Sequence, residues 1–189
     1  MAYLNLASIR LCTESEGPGK RLAVWVQGCE RRCPGCCNIE MQEIRKNTIV
    51  EASDLVDVIR KAKDETGIEG ISLIGGEPML QAEGLSEVAK GARDNGLTVL
   101  MFTGFLLEEL RELRNESVNR LLNHTDILVD GPFIESLYDM QRDWVGSSNQ
   151  KVWFLSNAYP AGIEYQNKEH QMEILVSVKE ILINGWPYA

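Results

Sequence analysis

The chain carries four of its five cysteines between positions 29 and 37, directly after a short apolar run. Three of them, Cys29, Cys33 and Cys36, have the spacing C-x3-C-x2-C. Three thiolates that fold back within one short loop can hold a cubane iron–sulfur cluster by three corners, which leaves the fourth iron without a protein ligand. The spacing therefore predicts an iron–sulfur cluster with one open coordination position.

A structural zinc site is the alternative, but such sites usually close with four protein ligands. The sequence offers no obvious fourth ligand here. Cys37 is adjacent to Cys36, so we expect its side chain to point elsewhere, and Cys12 is distant. His124 and His170 are the only histidines. We therefore favour the cluster over zinc.

Composition and charge limit the classes of partner. The chain has 189 residues, 44% hydrophobic and 25% charged, which is typical of one domain with a sizeable core. A net charge of −9 repels phosphate backbones and anionic membrane surfaces. We expect a single domain over residues 1–189 that binds neither nucleic acid nor membranes.

The cellular compartment is predicted from two further features. The N-terminus lacks a basic start followed by an apolar segment, and no apolar run is long enough to span a bilayer. The odd number of clustered cysteines is unsuited to a disulfide framework and favours metal ligation in a reducing compartment. The expected localisation is cytoplasmic.

Apolar runs and helical periodicity alternate along the chain. Helical spacing begins after Ser53, a plausible N-cap, and stops at Gly67, and it recurs in two later stretches. The order βαβαβαβ with helix-length connections requires parallel strands, which predicts an α/β fold, a partial (βα) barrel with helices outside. The four predicted strands are Leu22–Val26, Ile71–Ile74, Leu97–Phe102 and Asp126–Asp130.

The turns that follow these strands carry the chain's distinctive residues. They begin at Gly28, Gly75-Gly76, Thr103-Gly104 and Asp130-Gly131. Parallel α/β folds gather ligand-binding loops at the carboxyl ends of their strands, so these four turns are expected to meet in space.

The segment Gly75-Gly76-Glu77-Pro78 is the second motif. Two glycines after a strand let a ligand approach the backbone, and the neighbouring carboxylate can pair with an ammonium group. A plain turn before a helix would have the same composition. Its position one βα unit after the cysteine loop favours the ligand site.

With these motifs the chain resembles the radical S-adenosylmethionine (SAM) superfamily, and within it the activating-enzyme branch of the anaerobic ribonucleotide reductases, which are glycyl-radical enzymes. The resemblance covers about residues 16–150, with residues 151–189 as an extension packed on that core. The matching segments are Glu16-Gly17, Gly28–Asn38, Ser72–Pro78, Thr103–Phe105, Glu109-Leu110, Leu128–Gly131 and Trp144–Gln150.

The resemblance implies a role for each residue at a matching position. Cys29, Cys33 and Cys36 would bind a [4Fe-4S] cluster whose open iron is chelated by SAM. Gly75, Gly76 and Glu77 would hold the SAM ammonium, Thr103 would lie near the ribose, and Asp130 would line the cofactor pocket. The remaining residues of the implied cofactor site are Pro78, Cys37 and Asn38.

The implied activity is that of a radical SAM oxidoreductase. One electron would cleave SAM to a 5′-deoxyadenosyl radical, which abstracts a hydrogen atom. The expected donor of that atom is a glycine of a partner glycyl-radical enzyme. The electron donor would be a flavodoxin- or ferredoxin-type protein. No acid–base dyad is required, because the cofactor carries the chemistry.

Three positions depart from the family pattern. Cys37 stands where an aromatic residue is usual, and Pro132 and Val145 replace expected cations. These departures leave open a divergent radical SAM enzyme that acts on a peptide or small metabolite. A non-catalytic iron–sulfur or zinc interaction module is the alternative from another class. In the extension, residues 152–155 and 174–176 are apolar and are expected to form additional strands, or else a substrate-docking element.

Overall fold

The computed structural model describes residues 1–166, 172–176 and 181–185. A seven-stranded sheet has the order β3-β1-β2-β4-β5-β6-β7, and β8 and β9 form a separate antiparallel pair. The strands are β1 (Tyr3–Thr13), β2 (Arg21–Val26), β3 (Thr48–Glu51), β4 (Gly70–Gly75), β5 (Thr98–Thr103), β6 (Ile127–Asp130), β7 (Lys151–Phe154), β8 (Met172–Val176) and β9 (Ile181–Gly185). The helices are α1 (Ala52–Thr66), α2 (Ala82–Asp94), α3 (Leu107–Glu112) and α4 (Glu116–Asn123).

The centre of the sheet is parallel. Strands β2, β4, β5 and β6 are neighbours in chain order and pair in parallel, which confirms the α/β class and the four predicted strands. The outer strands β1, β3 and β7 lie outside this predicted order and pair antiparallel, so the sheet as a whole is mixed. Closure into a partial (βα) barrel stays a prediction.

The helix boundaries follow the sequence closely, with one correction. Gly67 ends α1 in the left-handed conformation, with φ 71°, as predicted. The N-cap is Glu51 and not Ser53, because the strand β3 runs directly into the helix and its last residue is already extended. The third helical stretch is broken, as expected, and His124 caps the end of α4.

The two faces of the sheet have different partners. Leu22, Val24 and Val26 of β2 pack in the large core with buried residues of α1, α2 and α4. The alternate residues Ala23 and Trp25 belong to a small cluster on the other face. Because successive side chains of a strand point to opposite faces, the helices cover one face and leave the other open for a cavity.

Arg21, the first residue of β2, is fully buried at the edge of the sheet opposite the cysteine loop. Its Nε donates to Ser72 Oγ at 2.8 Å, and its Nη1 donates to Pro18 O at 3.1 Å and Tyr159 OH at 3.2 Å. A buried guanidinium is tolerated only when its donors have acceptors. This network therefore stabilises the edge of the sheet that lies opposite the cysteine loop.

The segment after residue 150 forms strands, as expected from its apolar runs. β7 extends the large sheet along β6. The β8–β9 hairpin is tied to the end of β1, since Asn184 Nδ2 donates to Thr13 Oγ1 at 2.9 Å and Glu173 Oε2 accepts from the same hydroxyl at 2.6 Å. In the described part of the chain, no helix has the length and apolar character needed to cross a bilayer.

Candidate functional site

The cysteine loop leaves β2 at Gln27 and is pinned at its base by backbone hydrogen bonds. The Gly28 N–H donates to Met41 O at 2.8 Å, and the Cys29 N–H donates to Gln42 O at 3.1 Å. Cys29 is buried, while Cys33 and Cys36 are half-buried. These bonds hold the loop at its base, and all three cysteines line one cavity.

The Gly75-Gly76 turn lies against the start of this loop. The Gly76 N–H donates to Val26 O and the Glu77 N–H donates to Gly28 O, both at 2.8 Å. Gly75 has a φ of 108°, which side chains rarely adopt, and a Cβ on Gly76 would lie 2.2 Å from Gly28 O. Both glycines are thus required to bring the two motifs together.

Glu77 is 1% exposed, and its carboxylate joins the two neighbouring strand ends. Its Oε1 accepts from Met79 N at 3.0 Å and from Thr103 Oγ1 at 2.8 Å, and its Oε2 accepts from Gly104 N at 2.8 Å. Burial raises the pKa of this carboxyl, although the three hydrogen bonds oppose the shift. The result is a rigid acidic group that a buried cation would stabilise.

A cavity of about 620 Å³ lies where these strand ends meet. Its volume is in the range of small-molecule sites. Its apolar wall includes Trp25, Phe102 and Phe133. The predicted site residues that line it are Cys29, Cys33, Cys36, Cys37, Asn38, Gly75, Gly76, Glu77, Pro78 and Thr103.

Asp130 is the predicted site residue that the structure does not bring to this cavity. It is fully buried, and its Oδ2 accepts from the Leu107 N–H at the start of α3 at 2.7 Å. Its neighbour Gly131 lines the cavity instead. Asp130 therefore fixes the entry of α3, and a direct contact with a cofactor stays a prediction.

The loop thiols differ in their protonation. Burial raises the pKa of Cys29, against hydrogen bonds from the backbone of Arg32 and Arg31. The thiol of Cys37 donates to Cys36, which lowers the pKa of Cys36 to about 6 and raises that of Cys37. Cys36 is thus readily available as a thiolate, the form that binds metal. The expectation that the Cys37 side chain points away from the cluster stays a prediction.

The chemical types of the side chains that line the cavity suit the two implied groups. Three thiols on one loop are the donor set of an iron–sulfur cluster. In the same loop, Arg31 Nε is buried without a hydrogen-bond partner among the described residues, and Glu77 in the turn after β4 is a buried acid. A ligand with both a cationic and an anionic group would satisfy the two. Within residues 1–166, 172–176 and 181–185, no three or more His, Cys, Asp or Glu side chains gather in a way that could hold a metal ion, so ligation by Cys29, Cys33 and Cys36 stays a prediction.

The other candidate ligands lie elsewhere. Cys12 is exposed and does not line the cavity. His124 is the C-cap residue of α4. His170 lies outside the described residues.

Several residues of the cavity had no recognisable signal in the sequence. Arg31 contacts Glu109, 78 positions away, and the Ile183–Gly185 segment of β9 reaches the cavity from the far end of the chain. Gln27 could have been noticed as the last residue before the cysteine loop. Its side chain bridges Glu43 O at 2.7 Å and Asn47 Nδ2 at 3.2 Å and so holds the outgoing end of that loop.

Comparison with known protein families gives the class first. Residues 15–153 match the family model of the 4Fe-4S single cluster domain. That span includes the cysteine loop and every predicted site residue. The match supports an iron–sulfur cluster of the [4Fe-4S] type in this chain.

Individual relatives narrow the class. The anaerobic ribonucleoside-triphosphate reductase-activating protein of Escherichia coli (strain K12) is 34% identical over 146 residues, which are 74% of this chain and 91% of the relative. The protein of that name from Vibrio cholerae is 34% identical over 143 residues, 72% and 88% of the two chains, and that of Enterobacteria phage T4 is 27% identical over 154 residues, 79% and 94%. The chain therefore belongs to the family of anaerobic ribonucleoside-triphosphate reductase-activating proteins, which confirms the resemblance read from its motifs.

Proposed function

We propose that this chain is a radical SAM enzyme that abstracts a hydrogen atom from a glycine of an anaerobic ribonucleotide reductase. The observation that carries the proposal is that one cavity is lined both by the three cysteines of the loop and by Glu77 and Thr103 of the next strand ends. The names of the relatives support the choice of partner.

In this proposal Cys29, Cys33 and Cys36 hold the [4Fe-4S] cluster, and the Gly75–Pro78 turn holds SAM. The chemistry supplied when both are bound is one-electron cleavage of SAM to methionine and a 5′-deoxyadenosyl radical, which takes a hydrogen atom from the substrate. A flavodoxin- or ferredoxin-type protein supplies the electron.

The protein's own residues bind and orient the cofactor and keep water away from it. Glu77 is fixed by three hydrogen bonds, so it offers an ammonium group an acceptor that needs no reorganisation. The glycines allow a ligand to approach the backbone closely. The Trp25, Phe102 and Phe133 side chains exclude water from their side of the cavity, which protects reactive intermediates.

One observation favours the alternative of a peptide or small metabolite as substrate. Residues 183–185 lie outside the family match at 15–153 and nevertheless line the cavity. A peptide or small metabolite bound in the cavity would contact these residues.

Electron paramagnetic resonance tests the proposal. The anaerobically reconstituted protein is reduced and incubated with SAM and an anaerobic ribonucleotide reductase, and the glycyl-radical doublet is recorded. We expect the doublet with the unaltered chain and none with Cys33→Ala. SAM cleavage without a doublet would favour the alternative substrate, and absence of both would defeat the proposal.

A further inference from the structure

Arg31 belongs to the cysteine loop and lines the cavity, yet no motif accounts for it. Its guanidinium carbon lies 4.0 Å from the centre of the Phe105 ring, and its Nη2 donates to Glu109 Oε2 at 2.8 Å. Stacking on one side and a charged hydrogen bond on the other hold the group in one place. Such a side chain is preorganised for a ligand.

Most of the N–H donors of this guanidinium are unused. Its hydrogen bonds to the described residues involve Nη2 alone, and its Nε is buried without a partner in that part of the chain. An unsatisfied buried donor is costly in a folded protein. An acceptor that binds in the cavity would remove this cost.

Arg31 lies beside Glu77 without pairing with it. A Cβ on Gly104 would lie 2.9 Å from Arg31 Cγ and 3.4 Å from Glu77 Oε2, so the two side chains border the same residue. Arg31 takes Glu109 as its ion-pair partner. A cationic and an anionic side chain left side by side form a complementary site for a zwitterion, such as the α-amino acid group of an amino-acid derivative.

The other cations of the described cavity wall are engaged elsewhere. Arg10 donates to Asn184 Oδ1 and Ile9 O, and Arg45 pairs with Glu43 on an exposed surface. Val145, at a position where the family pattern has a cation, is fully buried in an apolar cluster and does not line the cavity. Arg31 is therefore the cation best placed beside Glu77.

We propose that Arg31 binds the carboxylate of the methionine part of SAM, while Glu77 receives the ammonium. This inference rests on the proposed function, because it assumes that SAM is the ligand. It makes Arg31 a cofactor-binding residue.

Equilibrium dialysis of the unreduced holoprotein tests the assignment, since SAM is not cleaved without an electron. Two ligands are compared, SAM and decarboxylated SAM, which differ in the carboxylate alone. The variant is Arg31→Gln, and Arg32→Gln is the matched control, because Arg32 is exposed in the same loop and does not line the cavity. Iron content and thermal unfolding are recorded for each.

We expect Arg31→Gln to weaken SAM binding about 10- to 100-fold, the range for a charge-assisted hydrogen bond, and to leave decarboxylated SAM unchanged. Arg32→Gln should bind both as the unaltered protein does. An equal change for the two ligands would overturn the assignment. If the unaltered protein binds neither, the proposed function itself fails and the inference fails with it.

If Arg31→Gln does not retain its cluster, Arg31→Lys decides the question with the same two ligands. A lysine keeps the charge but lacks the planar fork of donors. We expect this variant to bind SAM more weakly and decarboxylated SAM as the unaltered protein does. Unchanged SAM binding would contradict the assignment.

Discussion

The hydroxyl of Thr103 donates a 2.8 Å hydrogen bond to Oε1 of Glu77 and so joins the end of β5 to the turn after β4. Thr103→Val removes this donor and leaves a buried carboxylate with one hydrogen bond fewer. We expect a loss of about 1–3 kcal/mol in the free energy of unfolding, measured in urea. Thr103→Ser keeps the hydroxyl and serves as the control. An unchanged free energy of unfolding in Thr103→Val would show that this hydrogen bond does not stabilise the junction.

Gly76→Ala tests the contact between the two motifs. The new Cβ would lie 2.2 Å from Gly28 O, so the turn and the cysteine loop must move apart, at a cost of about 1–3 kcal/mol. We expect the variant to lose bound iron, measured after anaerobic reconstitution. Gly67→Ala is the control, because no atom lies within 4 Å of the new Cβ at Gly67, and it should keep its iron. Full iron retention by Gly76→Ala would show that the loop does not depend on this approach.

Glu16 makes stability depend on pH. Burial raises its pKa to about 7, and its Oε1 accepts from the Gly185 N–H at 2.8 Å. Between the ordinary pKa of 4.5 and the raised pKa of about 7, the folded chain binds more protons here than the unfolded chain, so its stability falls as the pH rises through that window.

Glu16→Gln removes this titration. The difference in Tm between the variant and the unaltered protein should therefore grow in favour of the variant from pH 5 to pH 7.5, as followed by circular dichroism. Glu14→Gln, an exposed neighbour, is the control and should show no such trend. A constant difference across the range would rule out Glu16 as the titrating group.

The iron content of cysteine variants tests which cysteines bind the cluster. Cys33→Ala removes one of three predicted ligands and should abolish cluster binding. Cys37→Ala and Cys12→Ala should leave the iron content unchanged, because neither is assigned to the cluster. Similar iron loss in Cys33→Ala and Cys37→Ala would show that the ligands have been assigned wrongly.

The parallel centre of the fold was predictable because buried parallel strands read as continuous apolar runs, as in Leu22–Val26. β1 was missed even though apolar and polar residues alternate in the first part of Tyr3–Thr13, which is the period of a half-buried strand. β3 is an exposed edge strand of four residues, too short to give a clear pattern.

The cavity was predictable to the extent that its residues follow strands. The turns after β2, β4 and β5 meet because parallel strands end at one edge. The roles of Arg31 and Asp130 were not predictable in the same way. Arg31 depends on Glu109, and Asp130 is engaged by the first turn of α3, and neither long-range contact leaves a local pattern in the sequence.

The central claim is that this chain cleaves SAM at a cluster held by three cysteines. The most direct measurement is chromatography of the products after the anaerobically reconstituted protein is incubated with dithionite and SAM and no substrate. We expect 5′-deoxyadenosine and methionine from the unaltered protein and neither from Cys33→Ala. Absence of both products from protein with an intact cluster would contradict the central claim.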